Sequence, residues 1–394
     1  NFVKKGLLET DMIAHTALID VYANCGMLLD AKMLFDKLPM RDLGLWNVLI
    51  SGYIQEEDSE AAFHCFEQMH SSGIFPDVTT FIYILKACGK VGALDKGYRV
   101  HREILKKGFL EKYTVLGTAL VDMYAKCGSL GKSEEVFHSL PIWDVTTWNA
   151  FISGYSRNGL NKDALICFDW MQLVGNTPDI ATFVCILKIC CNAGASSKGQ
   201  RIHVDIIKQG LLEKSNDVAD VLLEMYVKCN MLEEAKEVFD AIKDPNTTSW
   251  NVLIAGYAEY GYGTEALKCF EQMQLQGLYP DSITLVCSLK CCSNVGILNK
   301  GMEIHMEIEK RGLAEIDLDA SRGLIDLYIK CGLLQVAQKL FVGRMLKDVV
   351  SWNALIDGYV QKGLIDEAIF LLGHVLVNYN CLALPLMLSH IFLP

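Results

Sequence analysis

The sequence predicts an all-α fold: a right-handed α-solenoid superhelix of antiparallel helix-turn-helix repeats. Three observations carry that expectation. Residues of several chemical types recur every 102 positions: Trp46-Asn47, Trp148-Asn149, Trp250-Asn251 and Trp352-Asn353; Pro-Asp at 76–77, 178–179 and 280–281; His101, His203 and His305. The 102-residue period divides into blocks of 31, 35 and 36 residues in strict order. Each block holds two segments with apolar residues at helical spacing, and strand alternation is lacking. Neither helix of such a pair can bury its apolar stripe alone. Stacking the pairs buries them and lines one concave face with the first helix of every block.

The blocks follow in order. Residues 1–11 (NFVKKGLLETD) align with the end of a 36-residue block and read as the tail of a truncated one. The 31-residue blocks are 12–42, 114–144, 216–246 and 318–348; the 35-residue blocks are 43–77, 145–179 and 247–281; the 36-residue blocks are 78–113, 180–215 and 282–317. Residues 12–348 therefore hold nine complete blocks plus the tenth, 318–348. Residues 349–375 read as a degenerate final 35-residue block and 376–394 as an aberrant apolar tail. There Val375, Tyr379, Leu382 and Ala383 stand where the register expects Met, Gly, Pro and Asp. Within 145–179, WNAFISGYSRNG closes on Asn158-Gly159 and NKDALICFDWMQLVG closes on Gly175, with Pro178 beyond. The recurrent Gly-Tyr at 52–53, 154–155, 256–257 and 358–359 reads as a close-packing contact. The chain opens on Asn1 and shows no signal or transit peptide, as a fragment or processed form would.

Composition narrows the function. Of 394 residues, 51% are hydrophobic and 21% charged, which excludes a wholly disordered chain. The net charge of −11 argues against a binder that relies on bulk positive charge. No apolar run is long enough to span a membrane. The series Cys25/Cys127/Cys229/Cys331, Cys65/Cys167/Cys269 and Cys88/Cys190/Cys292 keep the same period and read as small buried hydrophobes. No CxxC occurs, so no metal site and no cofactor are expected.

At this point a family likeness emerges. The strings TALVDMYAKCGSLGKSEEVF (118–137), TTWNAFISGYSRNGLNKDALICFDWM (146–171) and LKKGFLE (105–111) resemble pentatricopeptide repeats, specifically the plant triplet class that alternates short, standard and long repeats. The likeness covers about residues 1–375, with no recognisable C-terminal extension or deaminase domain. It implies sequence-specific binding of single-stranded RNA, one base per repeat. It also implies an organellar location, in the mitochondrion or, as the alternative, the chloroplast. Many members of the class select sites of cytidine-to-uridine editing. In the family, base choice is set mainly by the fifth and last residues of each block.

Physically, the fifth residue lies early on the first helix and the ninth faces the same way one turn later. A side-chain amide both donates and accepts, so it can meet a pyrimidine edge; a shorter hydroxyl leaves room for a purine. By the family's rule, Thr16/Asp42 and Thr118/Asp144 resemble guanine-selecting pairs. Asn47/Asp77, Asn149/Asp179 and Asn251/Asp281 resemble uracil-preferring pairs, with cytosine second. Asp220/Asn246 and Arg322/Asp348 depart from the common pairs, and Asn353 meets Ala383 instead of an aspartate. The long blocks carry Ile82/Tyr113, Val184/Ser215 and Val286/Asp317, whose apolar fifth residues cannot read an edge. The expected target is G-Y-n-G-Y-n-n-Y-n-n-(Y), with Y favouring U. Candidate phosphate contacts are Lys86, Lys188 and Lys290 in the long blocks, and Lys126, Lys228 and Lys330 in the short ones. Asp20, Asp122, Glu224 and Asp326 oppose them.

Catalytic signals are weak. His101-Arg102-Glu103 and His305-Met306-Glu307 match the H-x-E of a zinc deaminase, but the third site reads His203-Val204-Asp205 and no Pro-Cys dipeptide exists. The histidines read as structural. The expected function is a non-enzymatic RNA-recognition factor acting with a deaminase-bearing protein in trans, with no small-molecule substrate and no membrane. The alternatives are a helical scaffold that binds proteins, or a truncated editing enzyme lacking its deaminase domain.

Overall fold

The structure, a computed structural model, describes residues 12–38, 40–313, 317–342 and 349–378. Among these residues there are 23 α-helices and no strand. The expectations for residues 1–11, for Asp348 and for most of the tail, Ala383 included, fall outside the described residues.

Two compact units divide the chain at Ala193/Gly194. The first holds α1 (Met12–Asn24), α2 (Leu28–Lys37), α3 (Leu43–Gln55), α4 (Ser59–Ser71), α5 (Val78–Val91), α6 (Leu94–Lys106), α7 (Phe109–Lys112), α8 (Thr114–Lys126), α9 (Leu130–Ser139), α10 (Val145–Arg157), α11 (Asn161–Leu173) and α12 (Ile180–Ala193). The second holds α13 (Ser196–Lys208), α14 (Asn216–Lys228), α15 (Leu232–Ala241), α16 (Thr247–Glu259), α17 (Gly263–Leu275), α18 (Ser282–Val295), α19 (Leu298–Lys310), α20 (Leu318–Lys330), α21 (Leu334–Val342), α22 (Val349–Gln361) and α23 (Ile365–Asn378). In each unit the first helices form one layer. α1, α3, α5, α8, α10 and α12 touch in series in one unit, as do α14, α16, α18, α20 and α22 in the other. Most second helices pack on the first helix of their own block and of the next. Each unit is thus an α-solenoid of helix pairs. Among the described residues, the 36-residue block 78–113 departs from the two-helix expectation and makes room for the extra turn α7.

The repeat residues explain the core. Trp46, Trp148, Trp250 and Trp352 are buried. Each meets the edge of a phenylalanine from the preceding second helix: Phe35, Phe137, Phe239 and Phe341, at centroid distances of 4.6, 4.8, 4.5 and 4.3 Å. The Gly-Tyr glycines are close contacts. A Cβ on Gly154 would lie 2.6 Å from the Ala125 methyl, and one on Gly256 would lie 2.6 Å from a Val227 methyl. The cysteine expectation needs a correction. Cys65, Cys167, Cys269, Cys88, Cys190 and Cys292 are buried, but Cys25 is exposed and Cys127, Cys229 and Cys331 are half-buried. The last three cap the C-termini of their first helices, where the chain turns out of the layer.

The turn after the first helix of the 35-residue blocks needs positive φ. Gly159, Gly261 and Gly363 supply it, but Glu57 adopts φ 66° at the equivalent place. Left-handed backbone strains a residue with a Cβ. Its exposed ion pair with Lys90, at 2.8 Å, offsets little of that strain. Glu57→Gly is expected to raise the thermal midpoint by roughly 2 °C, measured by circular dichroism.

Candidate nucleic-acid interface

The last residue of a block is the N-cap of the next first helix. The Asp42 carboxylate accepts from the Leu45 amide at 2.9 Å, Asp144 from Thr147 at 2.7 Å, and Asp179 from Thr182 at 2.7 Å. Asp77, Asn246, Asp281 and Asp317 cap in the same way. Asx side chains there satisfy amides that have no partner within the helix. Tyr113 and Ser215, the last residues of two long blocks, make no side-chain cap.

The fifth residue of a block reaches that cap from the neighbouring first helix. Asn47 Nδ2 donates to Asp77 at 3.2 Å, Asn149 Nδ2 to Asp179 at 3.1 Å, and Asn251 Nδ2 to Asp281 at 2.8 Å. The structure therefore brings the three Asn/Asp pairs together. Thr118 and Asp144 meet through a third side chain. The Thr118 and Thr147 hydroxyls lie 2.7 Å apart, and Thr147 donates to Asp144 at 2.7 Å. The uncommon pair also joins, with roles reversed: Asn246 Nδ2 donates to Asp220 at 3.2 Å. Thr16 lies half-buried on α1, and Asn353 half-buried on α22. The long-block residues Ile82, Val184 and Val286 are half-buried, with no polar atom to offer a base.

Sequence reasoning missed a third member of these joints. The third residue of the next block carries a hydroxyl: Thr80, Thr182 and Thr284 in one series, Thr147, Ser249 and Ser351 in the other. All six are buried. The signal was the same 102-residue period that exposed the tryptophans, but a Thr in the first turn of a helix reads as an ordinary residue.

The carboxyls of Asp77, Asp144, Asp179 and Asp281 sit below the usual carboxylate range. Partial burial pushes each of them up. At Asp77, Asp179 and Asp281 the hydrogen bonds accepted from the third-residue amide and the Asn amide outweigh it; at Asp144 those accepted from the Thr146 and Thr147 hydroxyls and the Thr147 amide do. A depressed folded-state pKa adds stability above the unfolded-state value, about 3.9 for Asp, and that contribution is lost as pH falls through the folded value. Denaturant titrations at pH 6 and pH 3 are expected to show a drop in stability. The drop should shrink when all four aspartates are replaced by Asn, which caps equally well.

The six lysines fall into two groups. Lys86, Lys188 and Lys290 are exposed on α5, α12 and α18. Lys126, Lys228 and Lys330 are ion-paired one turn back along their own helices, with Asp122 at 2.5 Å, Glu224 at 2.8 Å and Asp326 at 3.0 Å. That pairing leaves the long-block lysines as the stronger candidates for phosphates. Replacing Lys86, Lys188 and Lys290 together by Ala is expected to flatten the slope of log K against log salt by about 2, since each single-strand phosphate contact contributes about 0.7. The single change Lys126→Ala is expected to alter it less.

The three periodic histidines each bond a tyrosine of the following block. The Nδ1 atoms of His101, His203 and His305 share hydrogen bonds with the hydroxyls of Tyr124, Tyr226 and Tyr328 at 2.8, 2.9 and 2.8 Å. These bonds stitch long blocks to the short blocks that follow. Burial holds the His101 and His203 imidazoles below their ordinary pKa. Among the described residues no group of His, Cys, Asp and Glu is placed to hold a metal ion, and no helix is long and apolar enough to cross a membrane.

Comparison with known proteins gives one consistent result. A model of the PPR repeat family matches residues 41–90, 143–192 and 245–294. A model of the PPR repeat matches 13–43, 79–109, 118–141, 220–244 and 350–376, so that together they take in more than half of the chain. A pentatricopeptide repeat-containing protein of Arabidopsis thaliana is 34% identical over 357 residues, 90% of this chain and 52% of the relative. From the same plant, a mitochondrial member is 34% identical over 354 residues (89% of this chain, 34% of the relative) and a chloroplastic member is 31% identical over 361 residues (92% and 44%). The chain spans about half the length of these relatives, or less. Among solved structures, the maize pentatricopeptide repeat protein PPR10 in complex with an 18-nt psaJ RNA element has a like fold. Its TM-score is 0.80 at 20% identity, covering 96% of this chain and 57% of that chain. The chain belongs to the pentatricopeptide repeat family.

Proposed function

We propose that the chain binds single-stranded organellar RNA by sequence and serves as a site-recognition factor for cytidine-to-uridine editing. The deamination is performed by a deaminase-bearing protein in trans. The observation that carries this reading is the joint itself: the fifth and last residues of each 35-residue block, far apart in sequence, meet at the same place in all three such blocks from 43 to 281. The base-reading residues are Thr16, Asp42, Asn47, Asp77, Thr118, Asp144, Asn149, Asp179, Asn251, Asp281 and Asn353. Support comes from the fold shared with PPR10, whose structure holds RNA, and from relatives that carry mitochondrial and chloroplastic names. The three block lengths in strict order support the triplet class, and that class supports editing. The organelle is the mitochondrion, with the chloroplast as the alternative.

The test sequences organellar RNA from cells in which the chain is disrupted. Loss of C-to-U conversion at one or a few sites, each beside a match to G-Y-n-G-Y-n-n-Y, is the expected result. Unchanged conversion at every site would contradict the editing role.

A further inference from the structure

The three Asn/Asp joints share an arrangement that goes further than pairing. At each, the third-residue hydroxyl lies within reach of both the Asn amide oxygen and the Asp carboxylate. Thr80 Oγ1 is 2.7 Å from Asn47 Oδ1 and 2.8 Å from Asp77 Oδ1; Thr182 Oγ1 is 2.7 Å from both Asn149 Oδ1 and Asp179 Oδ1. Thr284 Oγ1 reaches Asn251 Oδ1 and lies 2.8 Å from Asp281 Oδ1. These hydroxyls are buried, with exposures of 0%, 1% and 0% for Thr80, Thr182 and Thr284.

Each hydroxyl has one proton, so counting protons decides where it goes. The carboxylate already accepts the Thr backbone amide, at 2.8, 2.7 and 2.9 Å at the three joints, and one Asn N–H. Among the described residues no other donor reaches the Asn oxygen. Turning the amide over would set its oxygen against a carboxylate. The hydroxyl proton therefore goes to the Asn oxygen, and the amide is held in one orientation. Its oxygen is occupied, one N–H is given to Asp, and the second N–H is what the side chain offers outward.

We propose that Thr80, Thr182 and Thr284 are positioning residues that make these joints select uracil over cytosine. The inference rests on the RNA-reading function proposed above. Uracil presents an acceptor, O4, where cytosine presents the N4 amine, a donor. A locked N–H complements the first and repels the second. An amide free to turn accommodates both.

The experiment measures binding of the full chain to RNAs that differ only in U or C opposite the Asn149/Asp179 joint. Wild type is expected to prefer U by about tenfold. Thr182→Val, which keeps the shape and removes the proton, is expected to bring that ratio to within about twofold, and Thr182→Ser is expected to retain it. The U-to-C ratio opposite Asn47/Asp77, read in the same Thr182→Val protein, should stay as in wild type, showing that fold and register survive. If Thr182→Val does not fold, Thr80→Val is read opposite its own joint with the same expectation. A Val variant that folds and keeps the wild-type ratio, while wild type discriminates, overturns the proposal alone. Absence of any preference in wild type overturns the RNA-reading function and this proposal with it.

Discussion

Replacing Asn149 by Ser together with Asp179 by Asn is expected to move the preference at that joint from a pyrimidine to a purine. The relative affinity of two RNAs differing there should shift by about 10- to 100-fold, the size of one to two kcal/mol-scale base contacts. The reason is geometric. The Asn149 amide reaches across to Asp179 and fills the space beside it. A serine side chain has two fewer heavy atoms and opens that space to a larger base. Asn at 179 still caps α12, so the helix start survives and the change is confined to readout. The check is a competition titration with U, C, A or G at the one position. Loss of affinity for all four alike would mean that the double change had damaged the fold.

Trp148→Ala is expected to destabilise the first unit by about 3–5 kcal/mol, measured by denaturant unfolding of the full chain. The indole is 1% exposed and is met edge-on by Phe137 at 4.8 Å. Solenoid stability is a sum of blocks and their nearest-neighbour interfaces, so the loss should fall on the blocks flanking 145–179. Trp148→Phe keeps part of the contact and is expected to cost less. The same change also bears on function, because Trp148 and Asn149 are adjacent on α10: burying one aims the other at the joint.

Much of this was legible in sequence because the period repeats. The tryptophans, the Gly-Tyr contacts and the block-ending aspartates each occur three or four times at one spacing, so chance is easily excluded. Three things were not legible, each for a tertiary reason. Thr80, Thr147, Thr182 and Thr284 look like unremarkable first-turn residues; their partners stand 29 or 33 residues back, on the preceding first helix. That Asp122, Glu224 and Asp326 oppose Lys126, Lys228 and Lys330 was legible, but not that each acid pairs directly with the lysine one turn on. Cys25, Cys127, Cys229 and Cys331 share the period of the buried cysteines, but sequence spacing carries no sign of whether a helix end turns inward or out.

The central claim is that this chain reads RNA by sequence, and one titration tests it most directly. The full chain is titrated against two fluorescent single-stranded RNAs at one salt concentration. One carries G-Y-n-G-Y-n-n-Y and the other has its G and Y positions exchanged for mismatched bases. A preference for the first of about 100-fold or more is predicted, since several correct bases at ~1 kcal/mol or more combine to that size. Equal weak binding of both, or no binding at low salt, would contradict the account and favour a helical scaffold for proteins.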